Sequence, residues 1–242
     1  MRIFKAAAFG LATVLLAFGP ASAQQSDRPE GFASFNLAVE DGPRYLSVAV
    51  PAPIFETAGT IDVDDHVAGA TMMDVSGGVR GRRFACGAGL SRSHTVDSYQ
   101  FTASTAPAVP GGFTRSLQAV TPGLEHHERV VYVFASLVHQ FTNHLDLMVS
   151  GGPAFFNVSQ ALPLEITQGP MPYGDFESME TTVVERSAVG FHGALDFNYL
   201  FNQRLGFGVL LRYSYGSVDL PDSTRSMTLG GIQIGTGLRA RF

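Results

Sequence analysis

Residues 226–242, reading S-M-T-L-G-G-I-Q-I-G-T-G-L-R-A-R-F, constrain this chain more than any other stretch. Side chains on a strand point to opposite faces in turn, so Thr228, Gly230, Ile232, Ile234, Thr236, Leu238, Ala240 and Phe242 share one face. Gly231, Gln233, Gly235, Gly237, Arg239 and Arg241 share the other. One face is apolar and the other is glycine with cations. Such a strand suits a wall with an apolar medium on one side and a crowded polar space on the other.

The same alternation recurs upstream. Strand one, residues 31–40, sets Ala33, Phe35, Leu37 and Val39 against Ser34, Asn36 and Ala38. Strand two, 68–80, sets Met73, Val75 and Val79 against Asp74, Ser76 and Arg80, and a Gly81-Arg82 turn leads to strand three, with Phe84, Cys86, Ala88 and Leu90 on one face. Strand four, 128–141, is apolar on both faces: Val131, Val133, Ala135 and Leu137 alternate with Tyr132, Phe134 and Val138. In strand five Leu145, Leu147 and Val149 alternate with Asp146, Met148 and Ser150. Strand six carries Val189, Phe191, Leu195, Phe197, Tyr199 and Phe201 on one face, and strand seven carries Leu205, Phe207, Val209, Leu211, Tyr213 and Tyr215.

The connections between these strands are long (41–67, in which Tyr45 to Val50 can extend a strand beyond the membrane), short (81–82), long (93–127), short (142–144), long (157–183), short (202–204) and medium (219–225). In an up-and-down barrel, alternate connections lie at opposite ends, and one long-loop end with one short-turn end is the membrane-barrel pattern. The reading is therefore an all-β, eight-stranded antiparallel up-and-down transmembrane β-barrel, with both termini at the short-turn end. Eight strands make a barrel whose interior is filled by side chains.

Arg2 and Lys5 precede an apolar run over residues 6–19, and Ala21-Ser22-Ala23 offers small residues for cleavage. This predicts a cleavable signal peptide at 1–23 and a barrel domain at 24–242. The run is shorter than the roughly 20 apolar residues of a spanning helix. Loss of Arg2 and Lys5 makes the remaining chain more acidic than the whole chain's net charge of −5, which argues against a nucleic-acid partner. With a single cysteine, Cys86, no intramolecular disulfide forms; the thiol reads as a small apolar side chain on a strand. No cofactor is expected.

The signal, the alternating strands, the asymmetric loops and terminal Phe242 together resemble the small bacterial outer-membrane β-barrel family of the OmpA transmembrane domain and the OmpX-like proteins. The resemblance implies an outer-membrane location, and a monomer is expected; the chain departs from the full-length OmpA type in that no periplasmic peptidoglycan-binding domain is expected beside the barrel. It also implies an assembly signal at Leu238, Ala240 and Phe242, read by the barrel-assembly machinery. Ala240 stands where the family signal more often has Tyr. Members act in envelope integrity, adhesion or evasion, and few are enzymes. The function expected here is a structural or surface-interaction role, with outer-membrane lipid and an extracellular ligand or host surface as partners; the alternatives are a lipid-modifying enzyme and a narrow channel.

Asp74, Arg80, Asp146, His192, Asp196, Arg212, Arg239 and Arg241 fall on inward faces. In a narrow lumen they must pair, because an isolated buried charge costs several kcal/mol. A three-residue turn at 202–204 sets Arg212 opposite Ala194 and diagonal to Asp196, and sets His192 opposite Ser214. A polar plug and a gated ion path both use such residues. Ser93 and His94 are neighbours and point to opposite faces, so they do not form a nucleophile and base pair. His126-His127 and the cluster Asp62, Asp64, Asp65 and His66 offer surface cation ligands without the spacing of a known metal site. The paired glycines 77–78, 151–152 and 230–231 fall inside strands, where they relieve crowding.

Overall fold

The computed structural model describes residues 29–41, 45–54, 57–66, 69–98, 100–105, 115–120, 123–168, 176–220 and 226–242. The expected signal peptide and the lead-in after it lie outside the described residues. In chain order the strands are β1 (Glu30–Asp41), β2 (Tyr45–Ile54), β3 (Thr57–His66), β4 (Ala70–Arg80), β5 (Phe84–Asp97), β6 (Gln100–Thr105) and β7 (Arg115–Val120). They continue with β8 (Leu124–Gln140), β9 (Leu145–Gln168), β10 (Phe176–Leu200), β11 (Leu205–Val218), β12 (Met227–Leu229) and β13 (Ile232–Arg241).

Eight of these, β1, β4, β5, β8, β9, β10, β11 and β13, pair antiparallel in that order and close, since β13 pairs with β1 from Phe32↔Arg241 to Asp41↔Ile232. Closure leaves no strand edge, and an edge in hydrocarbon would hold unpaired backbone groups at several kcal/mol each. The outward residues form an apolar belt in which Leu37, Val39, Met73, Val75, Leu90, Val131, Phe197, Val209, Ile234 and Leu238 are all exposed. Around a barrel in water this belt would be far larger than any patch a soluble monomer leaves open. It is the lipid-facing surface of an outer-membrane barrel. Aromatic contacts mark its two edges, Phe191 with Tyr215 at 5.7 Å and Tyr199 with Phe201 at 5.9 Å.

The short turns and termini gather at one end. The first turn is centred on Arg82 and Arg83, with the Gly81 N–H donating to the Phe84 carbonyl at 2.7 Å, and not on Gly81-Arg82 as the sequence suggests. The correction follows from the pairing of Arg80 with Ala85, which puts Gly81 opposite Phe84. Among the described glycines the left-handed value belongs to Gly230, with φ 75°, where the last strand breaks into β12 and β13. A Cβ at Gly230 would lie 2.5 Å from Ser214 Oγ. The pair 230–231 is thus a break in the strand, not part of a continuous one.

At the opposite end two expected loops are strands. The β2–β3 and β6–β7 hairpins join through β3 and β6 into a second sheet of order β2-β3-β6-β7. Pro51 and Pro53 lie in β2, the sheet's edge, where a missing N–H breaks no ladder. The third expected loop is mostly hairpin, because β9 and β10 stay paired up to Gln168 and Phe176. At about 3.3 Å per residue each runs near 80 Å, well beyond the roughly 30 Å of hydrocarbon.

Polarity inverts along that hairpin. Below Phe155 the outward residues are apolar and the inward ones are small or polar; above Phe156 the outward Asn157, Ser187 and Glu185 are polar, while the inward Val158, Leu162 and Ala188 are apolar. Ile61 of β3 and Phe101 of β6 are buried in the same upper cluster, with Met227 and Leu229. The inversion marks the outer surface of the bilayer.

Leu195 lies on the outward face of β10, between Val149 and Leu211. Leu195→Arg should cost about 2–4 kcal/mol near the midplane. Urea titration in vesicles checks this; a Leu195→Arg profile matching Leu195→Ala would place the residue inside.

Candidate functional site

Asp74 is the centre of the lumen and is 0% exposed. Its Oδ1 accepts from Asn36 Nδ2 at 2.9 Å, and its Oδ2 accepts from Tyr132 Oη at 2.6 Å and from Arg212 Nη1 at 2.9 Å. Arg212 Nη2 donates to Tyr132 Oη at 2.7 Å, and the guanidinium lies 4.3 Å from the centre of the Tyr132 ring. Charge-assisted bonds of this kind are the strong ones, and here both Nη atoms of the cation are engaged, on the carboxylate and the phenol, while Arg212 Nε is buried without a partner. Gln233 joins the cluster to β1 and β11, donating from Nε2 to Glu40 Oε1 at 2.8 Å and to Ser214 Oγ at 3.1 Å.

A second cluster lies toward the short-turn end. Asp146 Oδ2 accepts from Arg80 Nη1 at 3.0 Å and from Arg241 Nη2, and Asp146 Oδ1 accepts from Asn198 Nδ2 at 3.0 Å. Arg239 is bidentate on Asp196, Nη2 to Oδ1 at 2.5 Å and Nε to Oδ2 at 3.2 Å, and also reaches Asn198 Oδ1 at 2.7 Å. All eight predicted inward residues therefore line one lumen, and seven of them are ion-paired.

Two pairings differ from expectation. Arg212 stands opposite Ala194 as predicted, yet it reaches across the lumen to Asp74, leaving Asp196 to Arg239. His192 stands opposite Ser214, but Ser214 accepts from Gln233, while His192 meets the Tyr132 ring edge-on at 4.8 Å. No nucleophile and base pair forms there. Tyr132, Gln233, Asn36, Asn198 and Glu40 were missing from the predicted network, although strand parity alone turns each of them inward.

Glycine makes room for these large groups. A Cβ at Gly89 would lie 2.3 Å from Tyr132 Oη, and one at Gly208 would lie 2.5 Å from the Arg239 guanidinium. Phe32, Ala85, Val138 and Met148 form an apolar cluster in the lower lumen. Above the Asp74 cluster His126 is fully buried, with Nδ1 2.8 Å from Gln160 Oε1, beneath the upper apolar cluster.

The histidine pair is split by strand alternation, since His126 points inward and His127 outward. His127 instead stacks on His94 of the neighbouring strand at 4.3 Å and 22°, and one donor atom each of His94, Glu125 and His127 lie within 4.8 Å of one another. His127 Nε2 lies 3.3 Å from Glu125 Oε2, so these two are already hydrogen-bond partners. Ser93 is buried and His94 exposed, on opposite faces as expected. Asp62 is an exposed residue of β3; the side chains of Asp64, Asp65 and His66 lie outside the described residues. Cys86 faces outward from β5, and Leu238 and Phe242 are likewise exposed on the outer wall.

Outside the barrel, at the line of inverted polarity, lies a groove of about 800 Å³. Val131, Phe155 and Val189 form its membrane side, Arg92, Arg129, Asn157 and Ser187 the next row, and His127, Ser159 and Glu185 the outermost.

A closed, side-chain-filled, eight-stranded barrel with an apolar belt and one extended end is a bacterial outer-membrane β-barrel. No protein-family model and no curated protein matches the sequence. Solved structures similar to it include the outer membrane protein OprG from Pseudomonas aeruginosa, with 11% identity, TM-score 0.47, and coverage of 91% of this chain and 99% of that one. Another is Ail, the attachment invasion locus protein of Yersinia pestis, in complex with the heparin analogue sucrose octasulfate, with 10% identity, TM-score 0.38, and 87% and 99% coverage. The outer membrane protease OmpT from Escherichia coli matches at 12% identity, TM-score 0.35, and 92% and 99% coverage. At these scores the likeness carries nothing about activity, and the class rests on the barrel's own geometry.

Asp74→Ala would strand the Arg212 guanidinium and the Tyr132 hydroxyl in a sealed space and should cost about 3–5 kcal/mol. Replacing both Asp74 and Arg212 by Met should cost less than the single change, because no charge is left unpaired. Denaturant unfolding of the refolded barrels separates the two.

Proposed function

We propose that this protein is a monomeric, non-conducting outer-membrane barrel with a structural and surface-interaction role, in which the extracellular sheet and the long β9–β10 hairpin meet an extracellular ligand or host surface. It catalyses no reaction and uses no cofactor. The observation that carries this reading is the filled lumen. Among the described residues, two spaces within the network measure about 30 Å³, beside Tyr132, His192 and Arg212, and about 10 Å³, beside Arg80, Asp196 and Arg239. A cavity of roughly 10–15 Å³ holds a single water, so these spaces hold isolated waters and no file of hydrated ions. The upper apolar cluster adds a second, dry closure. Against an enzyme stands the separation of Ser93 from His94 and of His192 from Ser214, which leaves no activated nucleophile at either place.

The refolded protein in a planar bilayer should give no steady current. A stable conductance that scales with salt concentration would make it a channel and sink the reading.

Delivery is assigned to the barrel-assembly machinery acting on the last strand. Phe242 exchanges backbone bonds with Gly31, at 2.7 and 2.9 Å, and its ring covers that glycine while staying 77% exposed. So exposed a ring adds little folded stability. Phe242→Ala should therefore refold in detergent like the parent while reaching the outer membrane in smaller amount. Equal membrane levels with failed refolding would make the residue structural instead.

A further inference from the structure

Arg92 and Arg129 are direct cross-strand partners on β5 and β8, both outward and both exposed. Like charges directly opposite one another destabilise a sheet, and among the described residues neither guanidinium has a carboxylate partner. They stand where polarity inverts, one row beyond Leu90, Val131, Phe155 and Val189, and the groove opens in front of them. Beside Arg129, Asn157 and Ser187 present an amide and a hydroxyl 3.4 Å apart. Two carboxylates also line the groove, Glu185 one row further out and the buried Glu128 next to Arg129 in sequence, and Glu185 is placed to accept from hydroxyls of a bound sugar.

We infer that this groove binds a phosphorylated, acylated sugar lipid of the outer leaflet, its phosphate bridging Arg92 and Arg129 and its acyl chains lying on Val131, Phe155 and Val189. Two planar donor forks at the polar edge match a phosphate, which they hold bidentately. The apolar floor below them requires that the phosphate be attached to lipid, because a free anion gains nothing from it. The long-connection end, which carries the groove, faces outward. That orientation is all the inference takes from the reading above, so it stands or falls separately from the closed lumen.

The test refolds the mature chain in phosphatidylcholine nanodiscs with bis-phosphorylated lipid A, extracts it into mild detergent, and weighs the complexes by native mass spectrometry. The parent should retain lipid A, and Arg92→Gln/Arg129→Gln should lower the retained fraction about tenfold through loss of the charge-assisted contacts. Arg82→Gln/Arg83→Gln, in the turn at the other end of the barrel, should retain it as the parent does. Arg129→Gln alone relieves the like-charge pair, so in lipid A-free vesicles it should fold at least as stably as the parent while binding lipid A less. That separates lost binding from lost folding. Equal retention by the parent and the Arg92→Gln/Arg129→Gln variant overturns the site. So does equal parental retention of dephosphorylated lipid A, and so does a matching loss in Arg82→Gln/Arg83→Gln. Displacement by excess inorganic phosphate would make it a free-anion site and overturn the lipid assignment.

Discussion

The pairing of β1 with β13 is the constraint on which the rest of the structure depends. Each has a partner on its other side, β4 and β11, so without this seam each would expose a full row of unpaired backbone groups to hydrocarbon. Closing the sheet at eight strands removes both edges and also sets the interior width. So narrow an interior is filled by side chains and not by a water column. The charges on the inward faces are therefore desolvated, and only mutual pairing makes them tolerable. Asp74 serves three donors for this reason, and Asp146 likewise serves three. The inward glycines belong to the same logic: Gly89 and Gly208 are empty positions that Tyr132 and Arg239 fill.

Much of this was legible in the sequence because a strand's period of two survives any tilt or twist. Parity placed every predicted lumen residue inside, and the turn at 202–204 placed Arg212 opposite Ala194 and His192 opposite Ser214. Cross-lumen partners were not legible. Arg212 reaches Asp74, 138 residues away, because closure and strand tilt bring β4 and β11 to face each other, and neither is encoded in local alternation. Strand four looked apolar on both faces for a related reason. The Tyr132 ring fills space over Gly89, and only its hydroxyl belongs to the polar network.

Beyond Tyr45 to Val50, which the sequence allowed as a strand, the strands past the belt were hidden by a different effect. Pro51, Pro53 and Gly59 normally punctuate loops, yet an edge strand tolerates proline, and β2 is such an edge. In β9 and β10 the difficulty was the sign of the pattern. Alternation continues past Phe155-Phe156, but water has replaced lipid outside, and the apolar residues have moved to the inner face to pack against Ile61 and Phe101. A search for outward apolar residues loses the strand at the point where its surroundings change.

That inversion also divides the outer wall into two unlike surfaces. Below it the outer wall offers acyl chains an undifferentiated apolar surface, and the inner wall is sealed by its own ion pairs. Above it the inner wall is lined by a buried apolar cluster that includes Phe156, Val158, Met227 and Leu229. What remains open is the outer face at and beyond the line. There the wall carries exposed polar side chains in cross-strand pairs: Arg92 beside Arg129, His94 on His127, Asn157 bonded to Ser187. In the lumen almost every charge is neutralised by a neighbour within the chain, whereas on this rim Arg92 and Arg129 stand side by side with no carboxylate partner among the described residues. In the proposed site a lipid phosphate at the boundary supplies from outside the anion that the lumen cations find within the chain.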